Sequence, residues 1–239
     1  MTRMTSARIA GSAFLLYIGL GLPGGTLIQK AASGEGVAAK LASVAQHASD
    51  VRAAIVLTLF SSFCALVLGV TLYAITREVD PDLAMLAMTF RLGEGVIGGV
   101  SVQRSLGLLW LATGTGGNEP DSLTSHALGA LFLSSGGLGL VGALFFAMGS
   151  AIFSWLLLRG RMIPAVLAWL GVVASVLWII GLPLQLVGIL RGPVIWLYIP
   201  MAAFEVPFAL WLLIKGVTAP TTIGRPRAGY PTSASIQAR

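Results

Sequence analysis

Six long apolar stretches, separated by shorter polar segments, set the plan of this chain. They occupy about residues 9–28, 53–75, 83–103, 136–158, 164–186 and 195–214. Each is close to the roughly 20 residues a helix needs to cross about 30 Å of hydrocarbon. Between the first two, the segment 29–52 carries Val37, Leu41, Val44, Ala48 and Val51 at alternating spacings of four and three. That period gives one apolar stripe on a helix, opposite Lys40, Gln46 and His47, and predicts an amphipathic helix outside the spans. The expected fold is an all-α integral membrane protein, with six transmembrane helices in one bundle and an amphipathic outer helix between spans 1 and 2.

Breaker residues place the joints. Pro81 suits the first turn of the third span, and the Gly/Asn/Pro-rich segment 113–122 reads as a loop. The apolar stretch from His126 is longer than one span requires. It divides into an outer segment to Ser135 and a fourth span, 136–158. Arg159-Gly160-Arg161 forms a basic turn, and Leu190-Arg191-Gly192-Pro193 turns the chain into the sixth span. The first stretch begins basic and apolar like a signal peptide, but it ends without a small-x-small cleavage site and reads as a retained span. Residues 1–8 then form a short N-terminus, 9–216 the transmembrane domain, and 217–239 a Pro/Thr/Ser/Arg tail expected to be disordered.

Composition agrees with a bilayer environment: 56% of the 239 residues are hydrophobic and 10% charged, against about 25% charged in soluble domains. The net charge of +6 does not indicate nucleic acid, because no basic stripe interleaved with aromatics accompanies it. Lysine and arginine instead mark topology. Nine lie at the end that holds both termini, including Arg77, Arg159, Arg161 and Lys215, and five lie at the other end. This bias predicts cytoplasmic termini in a cell (cytoplasmic) membrane.

Candidate chemistry is narrowed by what the spans contain. The single cysteine, Cys64, excludes an intramolecular disulfide, a cysteine-based zinc site and a cysteine-ligated iron–sulfur cluster. His47 and His126 lie in or next to outer segments, so they cannot pair as haem ligands or activate an intramembrane serine. The glycines of 113–117 lack the lysine and spacing of a phosphate-binding loop. No enzyme activity, catalytic residue, cofactor or metal site is expected.

Three ionisable residues remain inside the spans: Arg91 and Glu94, three apart on one helical face, and Glu205. At 1.5 Å per residue from Asp82 and Lys215, Arg91 lies roughly 13 Å deep, Glu94 roughly 18 Å and Glu205 roughly 15 Å. Spans three and six run in opposite directions, yet their charges reach one layer. A charge at such depth costs about 2.5–3.5 kcal/mol by insertion scales and normally turns inward to a partner. Small residues share the charged face, and Gly95-x-x-x-Gly99 permits close helix approach.

Two roles stay open. In one, Arg91 is a clamp holding both carboxylates, as in a non-catalytic helical module that assembles with or regulates another membrane protein; the partner in such an assembly is a second copy of this chain or a different membrane protein. The excess carboxylate would instead suit a site that binds or moves a small molecule, an ion or a proton.

The chain also resembles a bacterial membrane-protein family known as domain of unknown function 4386. The matching residues are Leu72-Tyr73-Ala74-Ile75, Phe90-Arg91-Leu92-Gly93-Glu94 and Leu156-Leu157-Leu158-Arg159. Ile163-Pro164-Ala165-Val166-Leu167-Ala168-Trp169-Leu170-Gly171 and Phe204-Glu205 through Ala209-Leu210-Trp211 to Lys215-Gly216 extend the match. The resemblance covers about residues 7–217 and implies a six-helix architecture without an established activity.

Overall fold

The computed structural model describes residues 2–114, 121–134, 137–190 and 195–220. Among these residues eight helices follow one another: α1 (Arg3–Ala31), α2 (Gly36–Gln46), α3 (Ala48–Thr76), α4 (Pro81–Thr113), α5 (Ser122–Ser134), α6 (Gly137–Arg159), α7 (Ala165–Leu186) and α8 (Ile195–Ile214). Six apolar helical stretches are long enough to cross a membrane; the fourth, Leu123–Arg159, takes in α5 and α6, and α6 at 23 residues has the length of a span by itself. Residues 191–193 of the turn into the sixth span, most of the 113–122 loop and most of the 217–239 tail lie outside the described residues.

Local chemistry sets the helix ends. The Thr5 amide donates to Thr2 Oγ1 at 3.2 Å, which caps α1. At α4, the Leu83 amide donates to Asp80 Oδ1 at 3.2 Å, and Pro81 fills the first helical position, where its missing N–H costs nothing. Gly114, in the left-handed region at φ 61°, ends the same helix. At 33 residues α4 is about 50 Å long, well beyond the hydrocarbon thickness. Residues 105–112 therefore continue the helix past the span.

The amphipathic stripe differs from expectation. It is carried by two helices, because the chain turns at His47: Val37, Leu41 and Val44 belong to α2, while Ala48 and Val51 open α3. Val44 and Val51 are buried with Ala31 and Leu109 in a small core of their own. Together α2, α5 and the end of α4 form a cap over the bundle end opposite the described N-terminus.

Each spanning helix packs on the next in the order α1, α3, α4, α6, α7, α8, and α8 closes the ring on α1. The interior holds small residues: Ala7, Ala10, Ala54, Ala84, Ala87, Ala147, Ala168 and Ala174 are completely buried. Large apolar side chains point outward, for example Phe60, Phe63, Val96, Val100, Trp169 and Ile180. Lipid is as apolar as leucine, so close backbone packing, rather than hydrophobic burial, must hold such a bundle. At the end that carries the N-terminus, ion pairs between Arg3 and Glu78 and between Arg159 and Asp80 tie the helices together.

At Gly11 the backbones of α1 and α8 come close together. A Cβ there would lie 2.6 Å from the Leu213 nitrogen and 2.7 Å from the Ala209 carbonyl oxygen. Backbone cannot yield as a side chain can, so Gly11→Ala is expected to cost about 1–3 kcal/mol by overpacking. Gly19 has nothing within 4 Å of the same position, and Gly19→Ala should leave stability unchanged or raise it. Unfolding of both variants in detergent checks this; equal stability would show that the α1–α8 contact is looser than described.

Candidate functional site

Among the described residues Arg91 is the largest fully buried side chain, with 1% of it exposed. Its stem has room because two neighbouring helices present glycine. A Cβ on Gly69 of α3 would lie 3.0 Å from Arg91 Cβ, and one on Gly149 of α6 would lie 3.0 Å from Arg91 Cγ. The guanidinium reaches its partner one helical turn along, with Nη1 2.8 Å from Glu94 Oε2. Among the described residues none of its nitrogens makes a well-aligned hydrogen bond, so the contact is an ion pair.

Aromatic faces complete the surroundings. The guanidinium carbon lies 4.5 Å from the centre of the Phe146 ring, 5.4 Å from Tyr17 and 6.0 Å from Phe14. Each such contact contributes about 0.5–2 kcal/mol, the upper end applying where water is absent. Tyr17 and Phe146 stack with their planes 3° apart, and the Tyr17 hydroxyl donates to Glu94 Oε1 at 2.6 Å. One carboxylate thus receives the guanidinium on one oxygen and a phenol on the other. The Ser61 hydroxyl, donating to the Tyr17 carbonyl at 3.0 Å, fixes α1 against α3 at this level.

Glu205 is placed differently. It is half-buried, and among the described residues it makes no hydrogen bond or ion pair, with Arg91 or with any other side chain. It lines a partly open cavity of about 360 Å³ together with Glu94, Tyr17, Phe146 and Trp178. The cavity continues along Ser61, Ser62, Thr58 and Ser101 towards the capped end of the bundle. Its volume falls in the range of small-molecule sites and far exceeds the roughly 10–15 Å³ that a single water needs. On the other side of Arg91, the space enclosed by Phe14, Leu68, Phe153 and Phe208 is only about 10 Å³. The cation sits on the closed side of the layer and the carboxylates face the open side.

The structure therefore brings Arg91 and Glu94 into contact and sets Glu205 on the wall of the same cavity. Tyr17, Phe14 and Phe146 are the residues of this layer that the apolar patterning concealed, since aromatics are ordinary in a span. Depth would have found two of them: Tyr17 lies roughly 21 Å from the start of α1, and Phe146 roughly 20 Å from the end of α6. Among the described residues no cluster of three or more His, Cys, Asp or Glu side chains could hold a metal ion.

Removing one member of a buried ion pair costs about 3–5 kcal/mol, so Arg91→Ala is expected to unfold the bundle far more readily in denaturant titrations in detergent. Tyr17→Phe keeps the ring against the guanidinium and removes only the hydroxyl. Its expected cost is about 1.5–3 kcal/mol, the range for a hydrogen bond to a charged group. An Arg91→Ala protein as stable as wild type would show that the guanidinium is not held in this layer.

No curated protein and no solved structure matches the chain. A family model does, described as domain of unknown function (DUF4386), and it covers residues 9–216. The matched region takes in every spanning helix, apart from residues 3–8 at the start of α1, together with Arg91, Glu94 and Glu205. The chain belongs to the DUF4386 family, and its six apolar helices make it a multi-pass membrane protein.

Proposed function

We propose that this protein binds a small cationic solute, of charge +1, in the cavity beneath the α2/α5 cap, and that it is not an enzyme. The observation that carries this reading is the placement of Glu205, a carboxylate with no hydrogen bond or ion pair among the described residues, on the wall of a cavity of about 360 Å³. Arg91 balances one of the two carboxylates, so the layer holds one negative charge in excess. A monovalent cation neutralises it, and so would a proton. The wall suits an organic ammonium as well as a metal ion, because Phe146, Trp178 and Tyr17 offer ring faces and Ser61, Ser62 and Ser101 offer hydroxyls.

The alternative is a helical module in which the charges only fasten helices. The Arg91–Glu94 pair supports it, since that contact is complete without a ligand. The two readings part at Glu205. Calorimetric titration of the purified protein with sodium, potassium, methylammonium and choline, in two buffers of different ionisation enthalpy, measures binding and counts protons released. Glu205→Gln should keep the fold and weaken binding of the preferred cation at least about tenfold. Gly139→Leu, where a Cβ meets nothing within 4 Å, should fill the cavity and weaken binding without lowering stability. Wild type and Glu205→Gln responding alike to every cation would favour the module.

The cavity opens towards the end opposite the N-terminus, so its access depends on topology. We place both termini in the cytoplasm of a cell with this protein in its inner membrane, on the basic-residue bias. In a Cys64→Ala background, a cysteine at position 40 should react with an impermeant thiol reagent on intact cells, and one at position 77 should not. The reverse pattern would invert the orientation and make the cavity face the cytoplasm.

A further inference from the structure

A second pocket, of about 420 Å³, lies at the opposite end of the molecule from the acidic cavity and is lined by Arg161, Lys215, Trp211, Met4, Ile163 and Val217, among others. Arg161 and Lys215 are exposed, and among the described residues neither has an ion-pair partner. The nearby acids Glu78 and Asp80 are already engaged by Arg3 and Arg159. Two free cations thus share one concave site.

The backbone around Arg161 is unusual. It is the only non-glycine residue with positive φ among the described residues, at 51°. Gly160, its neighbour, would have taken that conformation at no steric cost, yet the left-handed position falls on the arginine. The chain beyond α8 straps the turn in place: the Thr218 amide donates to the Met162 carbonyl at 3.1 Å, and the Thr218 hydroxyl to the Arg161 carbonyl at 3.0 Å. Strained positions persist where the surroundings over-determine them, and they gather at binding sites.

We infer that this pocket binds the phosphate of an anionic phospholipid. The site lies where α8 ends, with Trp211 one turn before Lys215, which is where an indole and a lysine meet the headgroup layer. Arg161 supplies a planar fork for phosphate oxygens and Lys215 a point charge beside it. Met4, Ile163 and Val217 give apolar lining for the glycerol and first methylenes, which a soluble anion would not use. The inference is independent of the cation-binding reading, because it rests on other residues at the other end of the bundle.

The test is titration of the full-length detergent-purified protein with short-chain phosphatidylglycerol, phosphatidylcholine of the same chain length, and inorganic phosphate, read by native mass spectrometry and microscale thermophoresis. Phosphatidylglycerol is expected to bind in preference to the other two. Each cation removed should weaken it about fivefold, so Arg161→Gln with Lys215→Gln should weaken it about twenty-five-fold. Lys215→Gln alone, at an exposed helix end, keeps the test valid if the double variant does not fold. Arg77→Gln, a basic change at the same end outside the pocket, should leave binding unchanged. Equal binding of phosphatidylcholine, equal binding of inorganic phosphate, an unaffected Lys215→Gln protein, or an equal loss in Arg77→Gln would each overturn the assignment.

Discussion

The burial of one guanidinium in a membrane-spanning bundle constrains almost everything around it. A charge that cannot reach water must find an opposite charge, polarisable faces and space for its own stem. Glu94 meets the first need from one turn along α4, and Phe14, Tyr17 and Phe146 meet the second from α1 and α6. Gly69 and Gly149 meet the third from α3 and α6. Four helices are therefore fixed by a single side chain, which leaves α7 and α8 to be placed by the ring's closure. Trp178 does so on the same level, its indole N–H donating to the Leu197 carbonyl at 2.7 Å.

This solution is unsymmetrical, and the asymmetry matters more than the charge count. A pure clamp would set the guanidinium between both carboxylates and exclude space from the layer. Here the rings crowd one side of Arg91 while the carboxylates look into open volume on the other. Glu205 has no hydrogen bond or ion pair among the described residues and is half-buried on the cavity wall, so its carboxylate is not sealed into an apolar interior. Arg91 is better understood as a fixed countercharge that lets two carboxylates occupy one hydrophobic layer.

Much of this was legible in the sequence, for physical reasons that also explain what was not. Span lengths follow from hydrocarbon thickness, so hydropathy located the six helices. Counting residues from the polar boundaries placed Arg91, Glu94 and Glu205 in one layer, because rise per residue is nearly constant. The rotation of each helix about its axis is not carried by hydropathy in a chain this uniformly apolar. That is why the ion pair within α4 could be read from a spacing of three, whereas the separation of Glu205 from Arg91 could not. The aromatic faces were hidden for the same reason. The stripe over 37–51 misled in a subtler way: the turn at His47 preserves the phase of the period, so one continuous pattern spans two helices.

The two ends of the bundle are built on opposite principles. At the end holding the N-terminus, ion pairs and the Thr218 strap join neighbouring elements, and the backbone packs closely enough at Gly11 to exclude a methyl group. At the other end the cavity wall carries Gly25 and Gly139, and a Cβ at either would meet nothing within 4 Å. Those glycines are not required for helix contact. A larger side chain would improve helix propensity and fill volume, so packing alone gives no reason for glycine there. Both leave open the stretch of cavity wall that runs from the carboxylate layer towards the cap, roughly two helical turns beyond Tyr17 and Phe146.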